Sequence, residues 1–502
     1  MLSPELQRRP GRPSGQLLIL LATVLLSACT LEPRYHQPAL PVADRWPLPE
    51  QGTSKPAADA GAVDAPAWEI GWREFFVDRN LQQIIALALN NNRDLRIAVL
   101  NIELARAQYQ IQRSSLMPQI DANASYSREK LPPALILGQS GTIPQGTSIP
   151  LQTIYQAGIG VTSWEIDLFG KVRSQTRAAF QQYLSQVQAR RSAQLSLIAE
   201  VASTYLTLAS DRELQRLALQ TVTSQEASYD LTVKRHDSGA VSGLDLAQAR
   251  TTVESARADA ARFEGNIAQD INALTLLVGA SLDPSLLPQG LDDDVTGLQA
   301  LPAGLPSTVL LRRPDILEAE YQLRQANADI GAARAAFFPT ISLTGSIGSA
   351  STALSGLFKN GSGTWTLEPQ GALPIFHGGA LIGNLSATRT QREIAVAQYD
   401  KAIQSGFRDV SDALALTATL DRQRHAQQAL VDATSQAYDL SQARYKTGSE
   451  SYLTLLDAQR SFYAAQQGLI STRMAEQSNR VTLYKALGGG WQEHSGETAS
   501  NR

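Results

Sequence analysis

Two stretches of this 502-residue chain, 221 positions apart, repeat the same pattern. Asp94 and Asp315 lie near the start of the two copies, and Pro118 and Pro339 lie near their ends. In each copy a helical pattern leads to the proline, and an alternating, strand-like run follows it. An isolated helix-strand unit cannot bury its own faces, so repeats of this kind pack around one another. The sequence therefore predicts a duplicated fold whose two halves close on each other.

Four segments alternate between apolar and polar residues with a period of two, which predicts strands with one apolar and one polar face. The strands are expected at about 119–128 and 154–165 in the first half, and at about 340–349 and 364–374 in the second. No segment after residue 28 has the ~18 consecutive apolar residues of a transmembrane helix, so a membrane-crossing form of the chain needs a closed barrel. Four strands are too few, because barrels need about eight or more. Three chains would supply twelve strands.

Long segments that favour helix flank the predicted strands. Residues 80–117 are predicted to form one helix that ends before Pro118, since proline disfavours helix in the preceding residue. Residues 171–238 contain neither Gly nor Pro and predict a rod-like helix with coiled-coil spacing. Gly239 ends this helix, and Gly448 ends its counterpart in the second half. A pair of long helices is therefore expected to meet at a glycine turn in each half.

The N-terminus has the features of an export signal. Arg8, Arg9 and Arg12 precede an apolar run of ten residues, which is too short to span a bilayer. Small residues then lead directly to Cys29, the only cysteine of the chain, and this pattern resembles a bacterial lipobox. The alternative is an ordinary signal peptide with a chance cysteine. The lipobox predicts cleavage before Cys29 and its acylation, for example with palmitate, and Thr30 in place of an aspartate points to the outer membrane by resemblance to bacterial lipoproteins.

These patterns divide the chain into six segments. They are a signal peptide (1–28), an extended tether (29–66), the first repeat (67–280), a connector (281–312), the second repeat (313–488) and a C-terminal tail (489–502). The signal carries three Arg and one Glu, so the formal charge of −3 becomes −5 for the mature part. This mild acidity gives no electrostatic reason to expect nucleic-acid binding.

The sequence offers no motif for catalysis. The five histidines are scattered without the spacing of metal ligands. Gly170-Lys171 lacks the flanking residues of a phosphate-binding loop, and no nucleophile elbow is found. We therefore expect no enzymatic activity, no cofactor and no metal.

Six longer motifs lie in a fixed order on the duplicated chain. They are residues 72–76 (WREFF), 92–95 (NRDL), 164–171 (WEIDLFGK), 312–316 (RRPDI), 444–448 (RYKTG) and 452–460 (YLTLLDAQR). With these motifs the chain resembles the TolC/OprM-like outer-membrane factors of bacterial efflux and secretion systems, and the likeness covers nearly all of the mature chain. The lipobox makes it similar to the lipoprotein branch that serves drug-efflux pumps, the NodT-type branch.

The resemblance implies a mixed α and β fold with a duplicated helix-strand-strand-helix-helix unit. Four strands per chain would contribute to a trimeric 12-stranded barrel in the outer membrane, continued by a long α-helical periplasmic tunnel, with residues 281–312 in its equatorial region. The implied partners are two further copies of the chain, a periplasmic adaptor protein, an inner-membrane pump of the resistance-nodulation-division type and outer-membrane lipid. The chain would then be a passive duct for small toxic compounds or drugs, lipid-anchored and membrane-spanning, with a large periplasmic portion.

The same resemblance implies a periplasmic gate at the turns between the paired helices. The matched residues are the turn tips Gly239 and Gly448, the acidic ring Asp457, the hydrophobic constriction Leu453, the first-repeat partner Asp245, and Tyr445, which would hydrogen-bond across the closed gate. Three carboxylates around a three-fold axis would attract cations and repel anions. The chain departs from TolC at Glu450 and Thr454, where TolC has an arginine and an acidic residue, so the TolC charge latch is not carried over.

Two other functions fit part of the sequence. An exit duct for type I protein secretion would use the same fold with a different cargo. A non-transporting periplasmic coiled-coil lipoprotein would explain the long helices and the lipid, but not the four alternating segments or their duplication.

Overall fold

The structure is a computed structural model that describes most of the chain. The described residues are 30–46, 70–130, 151–291, 295–296 and 307–494. The predicted signal peptide and Cys29 lie outside them, as does much of the predicted tether. Among the helices in these ranges, none combines the length and the apolar character needed to cross a membrane.

Helices and strands follow the duplicated order that the sequence predicts. The first half contains α1 (Trp72–Phe75), α2 (Arg79–Asn91), α3 (Arg93–Ser114), β1 (Ile120–Glu129), β2 (Gln152–Ile166), α4 (Lys171–Asp237) and α5 (Gly243–Val278). The second half contains α6 (Pro314–Ala335), β3 (Thr340–Ser351), β4 (Gly363–Ala372), α7 (Ala380–Lys446) and α8 (Tyr452–Ala486). Short 3₁₀ turns at Pro284–Leu286, Ser307–Arg312 and Leu354–Gly356 complete the described elements. The prediction of a mixed fold with four strands per chain is confirmed.

The four strands form one antiparallel sheet in the order β1-β2-β3-β4. Each repeat supplies one hairpin, and the two hairpins join where β2 pairs with β3, with Ile159 opposite Ile347. An irregularity in β2 between Val161 and Trp164 includes Ser163, whose φ of 55° is unusual for a residue with a side chain. The strands β1 and β4 are the two edges of the sheet within one chain.

The helix predicted for residues 80–117 is wrong in one respect, because it is interrupted at Asn92. The Asn92 side chain accepts a hydrogen bond from Leu95 N at 2.8 Å and donates one to the carbonyl oxygen of Leu277 at 2.8 Å. The first bond caps the N-terminus of α3 and the second fixes that end to α5. The interruption therefore depends on a residue almost two hundred positions away along the chain.

The chain divides into two compact units that cut across the repeats. One unit contains the sheet and spans Glu103–Leu184 and Tyr321–Ala397, together with residues 30–37. The other contains the described residues of Pro38–Ile102, Ser185–Glu320 and Gln398–Arg502. Its main core contains the large, fully buried side chains of α1, α2, α4 and α5. They include Trp72, Phe75, Leu81, Ile84, Ile85, Tyr205, Leu206, Leu208 and Leu274, and Phe76 directly after α1 is buried with them.

Part of the predicted tether is held in place within the unit that contains the sheet. The carbonyl oxygen of Pro33 accepts a hydrogen bond from Asn327 Nδ2 at 2.8 Å, and that of Leu31 accepts one from Arg334 at 3.2 Å. Glu32 pairs with Arg177 of α4. Residues 31–33 are therefore fixed against α4 and α6 rather than free.

Candidate functional site

The two turns at Gly239 and Gly448 have the same backbone geometry. Their φ angles are +74° and +78°, in the left-handed region that glycine enters without steric cost. At the first turn Ala240 N donates to the carbonyl oxygen of Arg235 at 2.8 Å, and at the second Ser449 N donates to that of Arg444 at 2.9 Å. Both helices thus end in a Schellman-like motif that satisfies their last carbonyls.

A serine caps the helix that follows each turn. The hydroxyl of Ser242 accepts a hydrogen bond from Asp245 N, and the Asp245 carboxylate accepts one from Ser242 N at 3.0 Å, which forms a capping box at the start of α5. At α8, Ser451 accepts from Thr454 N at 3.2 Å. Thr454 therefore stands where the first repeat has Asp245. The half-buried Asp245 carboxylate is held by the helix start in this structure.

Leu453 and Asp457 lie one helical turn apart on α8, and both side chains are exposed. Leu453 is 60% exposed, so its side chain is largely uncovered in one chain. Position 244 is equivalent in the first repeat, and Leu244 is also exposed, at 66%. The sequence analysis did not single out Leu244, although the 209-residue spacing of Gly239 and Gly448 maps it onto Leu453.

Tyr445 lies in the core of the helix tips. It is 4% exposed and forms a cluster with Tyr452, Leu455 and Leu456 of α8 and Ala249 of α5. The rings of Tyr445 and Tyr452 lie 5.6 Å apart. Burial also raises the pKa of the Tyr452 hydroxyl above its ordinary value, so this group stays neutral.

Arg235 joins the first turn to the second. Its guanidinium carbon lies 4.6 Å from the centre of the Tyr445 ring, in a cation–π contact. It also donates to the carbonyl oxygens of Tyr445 and Lys446 at 3.4 Å, where α7 ends. A cation at this place stabilises the negative end of the helix. Sequence reasoning missed Arg235, because nothing local shows that α4 and α7 end side by side.

The second turn contains an ion pair of its own. Arg444 Nε lies 3.2 Å from Glu450 Oε2. Lys446 donates to Gln442 Oε1 at 3.3 Å. Asp457 has no hydrogen-bond or ion-pair partner among the residues that the structure describes, so its charge is available to the solvent or to another copy of the chain.

Alanine substitutions at Gly448 and at Gly279 are predicted to lower the stability of the chain by different amounts. A Cβ at Gly448 would meet no heavy atom within 4 Å, so Gly448→Ala is expected to destabilise the chain only by its left-handed φ, about 1 kcal/mol. A Cβ at Gly279, which has a φ of +71°, would lie 2.6 Å from the carbonyl oxygen of Asn91. Gly279→Ala should therefore lower the thermal unfolding temperature clearly more than Gly448→Ala. Equal unfolding temperatures would contradict this packing.

A carboxylate pair between α4 and α5 lies outside the turns. Burial and the nearby Asp211 carboxylate raise the pKa of Asp270 from 3.8 to about 6. Burial also raises the pKa of Asp211, while Asn266 and Arg262 act in the opposite direction. The Oδ2 atom of Asp270 is buried without a hydrogen-bond partner in the described part of the chain.

This pair predicts a pH-dependent stability. Because the pKa of Asp270 is raised in the folded chain, its stabilising contribution is complete below about pH 4 and is lost as the pH rises through about 6. Asp270→Asn should therefore raise the free energy of unfolding at pH 7.5 by about 1 kcal/mol after solvent screening, which is measured as a higher unfolding temperature. Near pH 4 the substitution should have little effect. Glu264→Gln, an exposed acid on the same helix, should show neither effect. A gain for Asp270→Asn that is the same at both pH values would contradict the assignment.

No group of three or more His, Cys, Asp or Glu residues in the described ranges is placed to hold a metal ion. The chain combines paired long helices that meet at glycine turns with a four-stranded antiparallel sheet. This combination is that of the outer-membrane factors that the sequence resembles.

Comparisons with known proteins support this class of protein. The family model "Outer membrane efflux protein" matches residues 84–280 and 305–489, one segment in each half of the duplication. The toluene efflux pump outer membrane protein TtgC of Pseudomonas putida is 46% identical over 482 residues, which cover 96% of each chain. The antibiotic efflux pump outer membrane protein ArpC of Pseudomonas putida is also 46% identical over 482 residues, with the same 96% coverage of both.

A solved structure shows the same fold. The open state of the MtrE outer membrane channel of Neisseria gonorrhoeae superposes with a TM-score of 0.81 and 39% identity, and the match covers 93% of this chain and 100% of that one. The chain therefore belongs to the outer membrane efflux protein family. The predictions of an outer-membrane location and of an exit-duct role, not an enzymatic one, are confirmed.

Proposed function

We propose that three copies of the chain form an acylated duct that carries small toxic organic compounds from an inner-membrane pump to the outside of the cell. The observation that carries this proposal is the pair of free edges on the four-stranded sheet. Every residue of β4 is exposed, and so is every residue of β1 except the half-buried Ser127. Trp365 of β4 is 75% exposed and Tyr126 of β1 is 57% exposed.

Free edges of this kind are costly inside a bilayer. Each unpaired backbone N–H or C=O group costs several kcal/mol in the hydrocarbon layer, so a sheet that crosses it has to close on itself. Four strands cannot close, whereas twelve strands from three copies can. Two copies would supply eight strands and could also close, so the edges require assembly but do not fix the number of copies. The membership of the outer membrane efflux protein family supports three copies.

The proposed partners follow from the passive role of the duct and from the proteins that the chain is similar to. A passive duct has no energy source, so a pump in the inner membrane and an adaptor in the periplasm have to supply energy and continuity. The resemblance to the outer-membrane factors that serve drug-efflux pumps supports a pump of the resistance-nodulation-division type. The relatives named for toluene and antibiotic efflux support small toxic organic compounds as the cargo.

We further propose that the helix tips are the periplasmic gate. Leu453 and Asp457 would form the constriction and the acidic ring, Asp245 and Tyr445 would support them, and Gly239 and Gly448 would form the tips. The side chains of Leu453 and Asp457 are exposed, and Asp457 has no hydrogen-bond or ion-pair partner among the described residues, which supports this role. The Tyr445 ring packs against Tyr452 and Leu455 and contacts Arg235, which supports its role at the tips.

The acyl anchor at Cys29 is also part of the proposal. Residues 31–33 are fixed to α4 and α6 in the unit that contains the sheet, which supports a lipid attachment close to the membrane-crossing strands. Cys29→Ser should abolish labelling by a radioactive or clickable fatty acid and leave the native mass of the assembly unchanged. Labelling that persists in this variant would exclude Cys29 as the acylated residue, and loss of the assembly would show that the lipid is needed for it.

The whole proposal is tested by two measurements. Electron microscopy of the protein in mild detergent should show a three-fold particle, and a monomeric or two-chain rod would exclude the trimer. Deletion of the gene should lower the tolerance of the host to solvents and antibiotics, with recovery on expression of the intact chain. If the deletion strain keeps its tolerance but no longer secretes a protein, the cargo is a polypeptide and the proposal of small organic compounds is wrong.

A further inference from the structure

The two repeats place different residues at one contact between the paired long helices. Helices α4 and α7 both have 67 residues and begin at 171 and 380, while α5 and α8 begin at 243 and 452. Each residue of the first pair therefore has a counterpart 209 positions later, and Asp270 of α5 corresponds to Asn479 of α8. A carboxyl and a carboxamide group have nearly the same shape, but they differ in charge and in the hydrogen bonds that they can donate.

In the second repeat, Asn479 bonds α8 to α7. Its side chain is 6% exposed, and Nδ2 donates to the carbonyl oxygen of Ala413 at 3.0 Å and to Thr417 Oγ1 at 2.9 Å. The Oδ1 atom of Asn479 has no partner in the described part of the chain, so the amide nitrogen alone makes this contact. Donation of a hydrogen bond thus joins the two helices at this level.

In the first repeat, the same level offers an acceptor but no donor. The counterparts of Ala413 and Thr417 are Thr204, which keeps its carbonyl oxygen, and Leu208, whose side chain cannot form a hydrogen bond. The Oδ2 atom of Asp270 is buried without a partner among the described residues. An ionised carboxylate only accepts hydrogen bonds, whereas a protonated carboxyl group can donate one. Only the protonated form of Asp270 can therefore imitate the bond of Asn479.

A second carboxylate also favours the protonated form. Asp211 of α4 acts on Asp270, and its counterpart in the second repeat is the apolar Leu420. Burial and the charge of Asp211 together raise the pKa of Asp270 from 3.8 to about 6. Asn266 bonds to Asp211 and Arg262 attracts it, so both groups favour the ionised form of Asp211. Asp211 thus keeps the charge that opposes ionisation of Asp270.

The charged groups on the other helices packed against α5 do not offset this effect. Helix α2 contains one charged residue, Arg79, whose side chain is exposed. On α8, Arg473 lies 3.2 Å from Glu213 of α4 and forms an ion pair with it. Within α5 itself, Arg262 pairs with Asp259 at 2.9 Å. The charge that shifts the pKa of Asp270 is therefore that of Asp211.

We infer that Asp270 forms a proton-dependent bond between α4 and α5, in which its protonated carboxyl group donates to the carbonyl oxygen of Thr204. When the proton passes to the solvent, this bond is lost, Asp211 repels the new charge, and α5 loosens from α4. Asn479 keeps the second helix pair bonded at every pH. Because α5 leads from this contact to the turn at Gly239, the first turn gains freedom as the pH rises; that this regulates conduction rests on the proposed function.

Hydrogen exchange tests the bond in the full-length protein in mild detergent. Exchange is measured by mass spectrometry at about pH 4 and about pH 7.5, on either side of the transition of Asp270. The second repeat is an internal standard, so the quantity compared is the exchange of residues 264–277 relative to that of residues 473–486. Asp270→Asn makes the first contact neutral at both pH values, and Asn479→Asp introduces a titratable group into the second. Glu264→Gln, an exposed acid on α5, is the matched control.

The exchange ratio of the unsubstituted chain and of Glu264→Gln should be several-fold higher at about pH 7.5 than at about pH 4. In Asp270→Asn it should stay low at both pH values. In Asn479→Asp, residues 473–486 should also exchange faster at the higher pH, which lowers the ratio. A ratio that does not change with pH in the unsubstituted chain would overturn the inference. So would a pH dependence that persists in Asp270→Asn, or slow exchange of residues 473–486 at both pH values in Asn479→Asp.

Conductance in planar bilayers separates this inference from the proposed duct. At the same two pH values, the conductance of the unsubstituted channel should rise with pH clearly more than that of Asp270→Asn, which retains every other titratable group. An equal rise in both channels would overturn the regulation of the duct by Asp270. If no variant conducts at either pH, the proposed duct is wrong, while the exchange ratios still decide whether the bond between α4 and α5 exists.

Discussion

Replacing Tyr445 with alanine is expected to open the periplasmic tips and to raise the single-channel conductance several-fold in planar bilayers. Tyr445 is buried in the cluster that joins α7 to α8, and removal of a buried aromatic side chain costs about 3–5 kcal/mol. The same substitution removes the ring under Arg235, a contact that contributes about 0.5–2 kcal/mol. Because these contacts are confined to the tips, the loss should loosen the turns and leave the sheet intact. Uptake of a large antibiotic by cells that produce the variant is a second measurement.

Two matched variants separate the role of Tyr445 from a general loss of stability. Tyr438→Ala removes the same side chain two turns earlier on α7, where the half-buried ring stacks on Phe462 at 5.9 Å and packs against the edge of the tip cluster. It should raise the conductance clearly less than Tyr445→Ala, because the buried centre of the cluster and the contact with Arg235 remain. Tyr445→Phe keeps the ring and the cation–π contact, and it should stay closed because the hydroxyl has no partner in the described part of one chain. A leaky Tyr445→Phe channel would instead show that the hydroxyl bonds across to a neighbouring copy.

Arg235 gives an independent check of the same mechanism. If its guanidinium holds the end of α7, Arg235→Ala should also raise the conductance, by less than Tyr445→Ala because the aromatic cluster remains. Arg444→Ala is the control from the equivalent position, where the side chain pairs with Glu450 in its own turn. If Tyr445→Ala and the unsubstituted channel have equal conductance, the aromatic cluster is not part of the gate.

The order of helices and strands could be predicted because the signals for it are local. Period-two alternation placed β1 near 119–128, where the structure has Ile120–Glu129, and the absence of Gly and Pro placed α4 at 171–238, where it has Lys171–Asp237. The repeat spacings of 221 and 209 residues then predict the corresponding elements of the second half. Such patterns depend only on neighbours along the chain.

The features that the sequence did not predict depend on distant residues. The interruption at Asn92 requires the carbonyl oxygen of Leu277, and the docking of residues 31–33 requires Asn327. The contact of Arg235 with Tyr445 requires two helix ends to lie side by side, although their chain separation is about two hundred residues. Composition and periodicity contain no information on such pairs, whereas the spacing of the two repeats does indicate Leu244 as the counterpart of Leu453.

Substitution of Asp457 with glutamine is expected to weaken the block of the channel by divalent cations at least tenfold. Two unit charges 4 Å apart interact by about 1 kcal/mol in water, so a divalent ion that faces three carboxylates gains several times this energy before salt screening. A tenfold loss corresponds to about 1.4 kcal/mol. The reversal potential in a salt gradient should shift toward that of a non-selective pore. Asp439→Asn, an exposed acid on α7 away from the turn, is the matched control and should change neither quantity.

The duplication supplies the converse experiment. Gln248 stands in α5 at the position equivalent to Asp457, so Asp457→Gln gives both repeats the same neutral residue. Gln248→Asp instead gives both repeats a carboxylate, and six charges at the tips should bind divalent ions more tightly than three. The expected order of divalent block is therefore Gln248→Asp, then the unsubstituted chain, then Asp457→Gln, with all differences reduced at high salt. A block that is the same in all three would place Asp457 outside the conducting path and assign it to the solvated outer surface of α8.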